Sequence, residues 1–233
     1  MGNEIVQYSL EGTTAIVRMD DGKANALSEA MIDALGEALA RAEKEATAMV
    51  LAGREGRFCA GFDLKVMMAS PESAVALLRR GADLFMKLYG SPIPIVMACT
   101  GHALAGGALV LLTGDVRIGT EGAFRIGLNE VSIGLPVPVL AMELARDRLT
   151  TTELPHATLA SRIYGPEDAA RAGYLDASLP GGAVLARAKE EAAKLGAFPR
   201  SAYSATKTRL RKKTIAYIEG TLEDDMKSFG FAK

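Results

Sequence analysis

Cysteine is scarce in this chain, and its scarcity argues against a fold held by disulfides. The two cysteines, Cys59 and Cys99, lie in loop or apolar contexts and have no paired spacing. Residues 1–4 also lack the basic and apolar regions of a signal peptide. Together these absences predict a reduced, cytoplasmic location.

Histidines and long apolar runs are equally few. His102 and His156 are far apart and have no acidic or cysteine neighbours at ligand spacing, so we predict no metal site. No apolar run reaches the ~18 residues that span a bilayer, because Asp115 and Arg117 soon follow the apolar residues 109–112. The sequence therefore predicts a protein with no membrane partner.

Neither sign of charge is in excess. The 233 residues carry 27 Lys and Arg against 28 Asp and Glu, a formal net charge of -1. This balance predicts no nucleic-acid partner and no attraction to anionic membranes. One basic cluster is formed by Arg209, Arg211, Lys212 and Lys213. We favour a solvated helix face for this cluster over contact with an acidic ligand such as a nucleotide phosphate.

The spacing of apolar residues indicates that strands and helices alternate. With 49% hydrophobic residues, the chain is long enough to bury one sizeable core. Alternation on either side of a Glu-Gly turn predicts a hairpin, and Ser28 is a good N-cap for a helix. Alternation of this kind is typical of an α/β fold with a largely parallel sheet. The predicted strands are 4–10, 13–19, 48–52, 93–98, 115–119 and 124–126, and the predicted helices are 28–45, 73–89, 139–146, 166–172, 183–195, 201–210 and 215–229.

A glycine-fronted apolar helix is the most informative feature of the sequence. Residues 105–112 read Ala-Gly-Gly-Ala-Leu-Val-Leu-Leu, so the helix is expected to be buried. The first N–H groups of a helix have no partner within it and carry the positive end of its dipole, so they stabilise an oxygen that gains negative charge. A loop at 58–64 offers a second amide. Two amides from two loops make an oxyanion hole.

Three segments resemble motifs of the crotonase family, the enoyl-CoA hydratases and isomerases. They read FCAGFDL at 58–64, GHALAGGALVLLTGDVRIG at 101–119 and FRIGLNEVSIGLP at 124–136. The segments follow one another in the order of the family, which is far more specific than one pair of glycines. The likeness covers roughly residues 5–179.

The resemblance implies both a fold and a substrate. It implies a spiral of strand-strand-helix turns at 1–180, followed by a helical region at 181–233 that packs on the core and on neighbouring subunits of a trimer or hexamer. The implied substrate is an acyl-CoA thioester, with no cofactor beyond the coenzyme A that the substrate carries. The backbone N–H groups of Phe62 and Gly106 are the implied donors of the oxyanion hole.

One of the two carboxylates that hydratases of this family use is missing. The resemblance predicts a glutamate three residues after Gly106, and this chain has Leu109 there. The second glutamate is matched by Glu130. Hydration is easiest with two carboxylates, whereas one base can move a double bond by taking an α-proton and returning it at the γ-carbon. We therefore expect Δ3,Δ2-enoyl-CoA isomerisation with Glu130 as acid and base, and an apolar pocket that raises its pKa.

The resemblance also implies residues that bind the substrate. The segment at Lys23 and Ala24 resembles the one that meets the pantetheine and phosphates of coenzyme A, although an ordinary exposed turn lysine is an equal alternative for Lys23. The carbonyls of Ala60 and Phe62 are expected to face the adenine. The predicted substrate-binding set is completed by Asp63, Leu64 and Leu109.

Several alternatives stay open, and others are set aside. Asp63 either assists catalysis or holds its loop. His102 either lines the pocket, supports it from behind or lies at the surface. A hydratase that uses Glu130 alone, or with help from Asp63 or a water, and a non-catalytic acyl-CoA binder are the competing functions. Ser204 and Lys207 match the Ser-x-x-Lys pattern of some acyl-transfer enzymes, but the companion motifs are missing, so we set this function aside. No Gly-x-Ser-x-Gly elbow and no Gly-x-Gly-x-x-Gly motif of a dinucleotide fold occurs, so nicotinamide chemistry is set aside as well.

Overall fold

The computed structural model describes residues 4–228, in which strands and helices alternate. The strands are β1 (Val6–Glu11), β2 (Thr14–Met19), β3 (Ala48–Ala52), β4 (Gly56–Cys59), β5 (Ile95–Cys99), β6 (Gly101–Leu104), β7 (Val116–Thr120), β8 (Ile126–Gly127) and β9 (Ala177–Leu179). The helices are α1 (Glu29–Glu45), α2 (Leu64–Met67), α3 (Pro71–Gly90), α4 (Gly106–Thr113), α5 (Val139–Arg148), α6 (Leu154–Thr158), α7 (Pro166–Ala172), α8 (Gly181–Gly196) and α9 (Arg200–Ser228). A 3-10 turn, Val131–Ile133, lies between β8 and α5.

The larger sheet has the order β1-β2-β3-β5-β7-β9. The first two strands form the antiparallel hairpin that the sequence predicts, and the remaining neighbours are parallel. Successive side chains of β3 face opposite sides of the sheet. Ala48, Val50 and Ala52 pack against α8, whereas Met49 and Leu51 face the main core. The sheet is therefore buried on both faces, as is typical of parallel sheets covered by helices.

The smaller sheet is parallel and has the order β4-β6-β8. Each of its strands follows a strand of the larger sheet, so the chain runs through β3-β4, β5-β6 and β7-β8 with helices between these pairs. The step from β5 to β6 needs Gly101, because a Cβ there would lie 2.0 Å from the carbonyl carbon of Gly56. This arrangement confirms the expected spiral of strand-strand-helix turns.

Helix boundaries follow the polar caps of the sequence. Ser28 accepts a hydrogen bond from the Met31 N–H at 3.2 Å and starts α1, as predicted. In the same way Ser70 accepts from the Ser73 N–H at 3.1 Å and starts α3, two residues before the predicted start. None of the helices within residues 4–228 is long and apolar enough to cross a membrane.

Short strands escaped the sequence analysis. It predicted no strand at β4, β6 or β9, which have only 4, 4 and 3 residues, and it placed the strand of β8 two residues too early, at 124–126 instead of Ile126–Gly127. Such short segments cannot establish a two-residue period. Pairing with neighbours that are distant in the sequence decides that they are strands.

The C-terminal region corrects the predicted separation of 201–210 from 215–229. Both segments belong to the single helix α9, and the last predicted residue, Phe229, lies outside the described residues. No glycine or proline interrupts residues 211–214, and the helix packs along α3 and α5 of the same chain. The boundary at residue 180 between a core and a helical region stays a prediction.

A buried ion cluster holds α9 on the core. Lys207 Nζ lies 2.6 Å from one Asp115 carboxylate oxygen, and an Arg211 guanidinium nitrogen lies 2.8 Å from the other. Lys207 also donates to the Ile93 carbonyl at 3.0 Å, and burial lowers its pKa to about 8. The predicted solvated face is therefore wrong for Arg211, which is only 2% exposed. It holds for the rest of the basic cluster, which is exposed: Arg209, Lys212 and Lys213.

Removing the shared carboxylate should destabilise the protein strongly. Asp115→Asn leaves two buried cations without a counter-charge, so we expect the free energy of unfolding to fall by about 3–5 kcal/mol. Urea denaturation followed by circular dichroism measures this loss. The matched control is Glu45→Gln, which breaks the exposed pair with Arg41 and should cost less than about 1 kcal/mol. Equal losses in the two variants would contradict the anchoring role of Asp115.

Candidate active site

The three residues predicted to be catalytic lie at one edge of the smaller sheet. β4, β6 and β8 are parallel neighbours, so their carboxyl ends share that edge. Phe62 follows the end of β4 by three residues, Gly106 follows β6 by two, and Glu130 follows β8 by three. A hydrogen bond of 3.0 Å from the Ala105 N–H to the Gly127 carbonyl joins the segment after β6 to the end of β8. Ligands of parallel sheets bind at this end of the strands.

The start of α4 is a buried source of free amides. All eight residues of this helix are buried, and no side chain caps its first turn. The N–H groups of Gly106 and Gly107 are too early in the helix to have an acceptor within it. Gly107 packs backbone against backbone, since a Cβ there would lie 2.0 Å from the Cys59 carbonyl oxygen. The positive end of the α4 dipole therefore lies against the loop that follows β4, in a buried environment of low dielectric constant.

The loop after β4 brings a second amide to the same place. A Cβ on Gly61 would lie 3.3 Å from the Gly106 nitrogen, so the two backbones nearly touch. Leu27 accepts from the Asp63 N–H at 3.2 Å and donates to the Gly61 carbonyl at 2.8 Å. Neighbouring N–H groups of an extended segment point to opposite sides, so the Phe62 N–H points away from Leu27. The geometry can therefore offer two amides to one oxygen.

The Phe62 ring holds this loop between two helices. A Cβ added to Gly81 of α3 would lie 2.4 Å from the ring, and one added to Gly106 would lie 3.0 Å from it. On a third side, the Phe85 ring centroid is 6.0 Å away. Glycine at both helix positions leaves room for the ring. The sequence analysis considered only the backbone of Phe62 and missed the role of Gly81, which looks like an ordinary helix residue.

Glu130 is a buried carboxyl group, and no cation pairs with it in the part of the chain that the structure describes. The residue is 7% exposed and precedes the 3-10 turn, and its Oε2 has no hydrogen-bond partner among the described residues. Burial raises the pKa of Glu130, the direction expected from the sequence, while backbone N–H groups of Glu130 and Asn129 partly lower it. Such a group can accept a proton and release it again. Leu109, 4% exposed, supplies no second carboxylate.

The predicted substrate-binding residues surround the first loop. Lys23 is exposed, and the Ala24 carbonyl accepts a hydrogen bond from the Ala60 N–H at 3.1 Å. Asp63 caps α2 by accepting from the Lys65 N–H at 2.9 Å, so its carboxylate holds the loop. Leu64 is 70% exposed beside it. Ala60 is exposed as well, so the loop presents a small, accessible surface next to the amides.

Asn25 braces the first loop and was missed by the sequence analysis. It is fully buried with φ 52°, and its side-chain amide donates to the Met19 carbonyl at 3.0 Å and the Phe58 carbonyl at 3.1 Å. Its side-chain oxygen accepts from the Asp21 N–H at 3.0 Å. The available signal was an asparagine in a turn after Asp-Asp-Gly, since asparagine tolerates positive φ. Asn25 thereby ties β2 and the turn to the end of β4.

His102, Cys59 and Cys99 belong to the strands β6, β4 and β5. His102 is at the start of β6, and its Nδ1 accepts the Arg125 N–H at 3.0 Å. Partial burial, Arg57 and Arg125 lower its pKa, which favours the neutral ring that this bond requires. Cys59 and Cys99 are buried free thiols, and burial raises the pKa of each to about 12.

Comparison with known proteins identifies similar chains. A model of the family described as enoyl-CoA hydratase/isomerase matches residues 10–230. The human mitochondrial enoyl-CoA delta isomerase 1 is 27% identical over 97% of this chain and 76% of its own length. A probable enoyl-CoA hydratase of Rhodobacter capsulatus is 30% identical over 89% of this chain and 81% of its own. The apo structure of a Mycobacterium tuberculosis enoyl-CoA isomerase is 36% identical, with a TM-score of 0.90 and 97% of each chain covered.

Replacing Asn25 should loosen the loop that carries the first amide. Asn25→Gly keeps the positive φ but removes the hydrogen bonds to Met19, Phe58 and Asp21, so we expect a loss of about 2–4 kcal/mol in the free energy of unfolding. Asn25→Ala should lose about 1 kcal/mol more because alanine is strained at this φ. Urea denaturation of both variants separates the two effects. A glycine variant as stable as the unmodified protein would contradict the bracing role.

Proposed function

Because this chain belongs to the enoyl-CoA hydratase/isomerase family, we propose that it moves the double bond of an acyl-CoA thioester from the Δ3 to the Δ2 position. The observation that carries the proposal is the buried carboxyl group of Glu130, which has no cation partner within residues 4–228 and lies at the sheet edge that also carries Phe62 and Gly106. Leu109 stands where the resemblance predicts the second carboxylate of a hydratase. One carboxyl group, that of Glu130, therefore has to act first as the base and then as the acid in the two proton transfers.

In the proposed reaction the thioester oxygen accepts hydrogen bonds from the Phe62 and Gly106 N–H groups. Glu130 takes the α-proton, and the electrons of the broken C–H bond form a dienolate whose negative charge lies on this oxygen. The protonated Glu130 then returns the proton to the γ-carbon, which restores the carbonyl and leaves the double bond between the α- and β-carbons. No water or redox partner enters the balance. One such amide typically lowers the barrier by about 3 kcal/mol.

The burial of Glu130 suits both proton transfers. A carboxylate with an ordinary pKa is a poor acid near neutral pH, whereas a raised pKa makes accepting and returning the proton more nearly balanced. Burial supplies that rise in pKa at Glu130. The same burial limits the access of bulk water, which would otherwise compete for the dienolate.

A hydratase is the second candidate, since a relative at 30% identity carries the name of a probable hydratase. Hydration would require Glu130 to activate water and deliver the α-proton, alone or with Asp63. The Asp63 carboxylate already accepts the Lys65 N–H at 2.9 Å and caps α2, which disfavours its help. A non-catalytic binder would keep the two amides without turnover. The burial of Glu130 Oε2 without a hydrogen-bond partner among the described residues weighs against this. Such burial costs stability, and costs of this kind are common where a group serves a reaction.

Coenzyme A is proposed to lie along the loop of Lys23, Ala24 and Ala60. The Ala24 carbonyl and the Ala60 N–H join the two segments at 3.1 Å, so a ligand that contacts one segment also meets the other. Lys23 is exposed there and can meet a phosphate. Assembly into a trimer or hexamer remains part of the proposal.

A paired assay of the purified protein tests the reaction. We expect it to convert a 3-enoyl-CoA into the 2-enoyl-CoA, and Glu130→Gln should lower kcat by about a thousandfold because the amide cannot take the proton. Product formation is followed by chromatography. Hydration of an added 2-enoyl-CoA that exceeds isomerisation would instead favour the hydratase. Tight binding of the thioester without either reaction would favour the binder.

The raised pKa of Glu130 should appear in the pH dependence of the reaction. The base is the ionised carboxylate, so kcat/KM should fall as pH falls through a pKa above the ordinary value of 4.5 and reach a plateau above it. Burial disfavours the ionised form, so the associated stability is present below the unfolded pKa and is lost as pH rises through the folded one. Glu130→Gln should therefore stabilise the fold at pH 8 and progressively less towards pH 4.5. An acid limb at or below 4.5 would contradict the effect of burial.

A further inference from the structure

Three buried side-chain oxygens, one of them on Glu130, have no hydrogen-bond partner among the described residues. They are Glu130 Oε2, Asn129 Oδ1 and the hydroxyl oxygen of Tyr174. Among all the residues that the structure describes, one other buried polar side-chain atom, Nε of Arg211, has no partner. Tyr174 is fully buried. A buried hydroxyl or carboxylate without a partner costs about 1–3 kcal/mol or more, so a group of three calls for an explanation.

The fold places Tyr174 firmly beside the segment that carries Glu130. Tyr174 follows Gly173, the left-handed C-cap of α7, and its N–H donates to the Ala169 carbonyl at 2.9 Å. Its ring packs on Tyr164 with 5.6 Å between centroids. Tyr164 in turn exchanges two backbone hydrogen bonds, of 2.9 and 3.0 Å, with Ile126 of β8. The phenol therefore lies against the strand that leads directly to Glu130.

Electrostatic interactions also link the Tyr174 hydroxyl to the segment that carries Glu130. Burial raises the pKa of Tyr174, Tyr164 and Glu130 raise it further, and the backbone N–H of Leu128 lowers it. The pKa of Tyr164 is raised by burial and by Glu153 and Asp168, and it is lowered by Arg162. Among the described residues, the groups that shift the pKa of Glu130 besides burial are the backbone N–H groups of Glu130 and Asn129. Tyr174 and Glu130 therefore interact electrostatically, since Glu130 raises the pKa of Tyr174.

The three oxygens match the hydrogen-bonding capacity of one water molecule. A phenol hydroxyl can donate, whereas a carboxylate oxygen and an amide oxygen can only accept. A water that accepts one bond and donates two satisfies all of them, and buried waters typically make about three hydrogen bonds. Direct contacts among the three oxygens do not satisfy the set, because none of them has a hydrogen-bond partner among the described residues.

We propose that Tyr174 is a positioning residue for Glu130: its hydroxyl donates to one buried water, which donates to Glu130 Oε2 and Asn129 Oδ1. This inference rests on the proposed role of Glu130 as acid and base. The water bridge stabilises the ionised carboxylate and restricts its rotation, so that Oε1 stays directed for proton transfer. It offsets part of the effect of burial and keeps Glu130 able to act as a base near neutral pH.

The test removes only the hydroxyl. In Tyr174→Phe the ring remains and the donor is lost, so the pKa of Glu130 should rise by about 1 unit. Carbon-13 NMR of protein labelled at glutamate side-chain carboxyls measures this titration, and the signal is assigned by its loss in Glu130→Gln. For the isomerisation we expect the acid limb to move by the same amount and kcat to fall several-fold at pH 6, with KM unchanged.

Tyr164→Phe is the matched control. It also removes a tyrosine hydroxyl in this cluster, but that hydroxyl donates to Glu153 at 2.8 Å, so the Glu130 titration should not move. An unchanged Glu130 pKa in Tyr174→Phe, or the same shift in both variants, overturns the proposal. The NMR titration needs no turnover. Absence of isomerisation with a Tyr174-dependent titration would therefore reject the proposed function while supporting the water bridge.

A crystal structure of the unmodified protein provides a second measurement if Tyr174→Phe does not fold. We expect density for a water within about 3.2 Å of Tyr174 Oη, Glu130 Oε2 and Asn129 Oδ1. A well-ordered structure with no water between these atoms overturns the proposal.

Discussion

The close approach of the α4 start to the loop after β4 is the constraint on which the candidate site depends. Gly107 has no room for a Cβ, because the Cys59 carbonyl oxygen would lie 2.0 Å from it. A Cβ on Gly61 would lie 3.3 Å from the Gly106 nitrogen. Backbone-to-backbone contact therefore brings the segments of Phe62 and Gly106 side by side. The two sheets, whose strands alternate along the chain, hold these segments in place, and Asn25 and the Phe62 ring brace the loop after β4.

Two buried carboxyl groups of this protein, those of Asp115 and Glu130, have different surroundings. Asp115 is matched by Lys207 and Arg211, so each charge has a partner and the cluster anchors α9. Glu130 has no cation partner among residues 4–228, and its burial raises the pKa. The first arrangement serves stability, since breaking it leaves unpaired charge in a low dielectric. The second opposes stability, a conflict that is common at reactive sites.

Local signals predicted the parts of the fold that local chemistry decides. The β1-β2 hairpin and the start of α1 at Ser28 follow from alternation and capping within a few residues. The strands β4, β6 and β9 were missed because their identity comes from pairing with distant segments. In the same way Arg211 has the composition of an exposed basic patch, and only its contact with Asp115, 96 residues earlier in the chain, makes it buried.

The sequence by itself determined the chemistry that this protein has available: free amides at a glycine-fronted helix, one glutamate in the third motif, and leucine instead of a second carboxylate at position 109. These are properties of residue types and short spacings. Tertiary structure alone decided which groups meet. It buried Glu130 without a cation partner among the described residues, packed the Tyr174 ring on Tyr164, and placed the Phe62 ring between Gly81 and Gly106. Burial and distance between remote segments depend on the packing of the whole chain, and no local pattern encodes them.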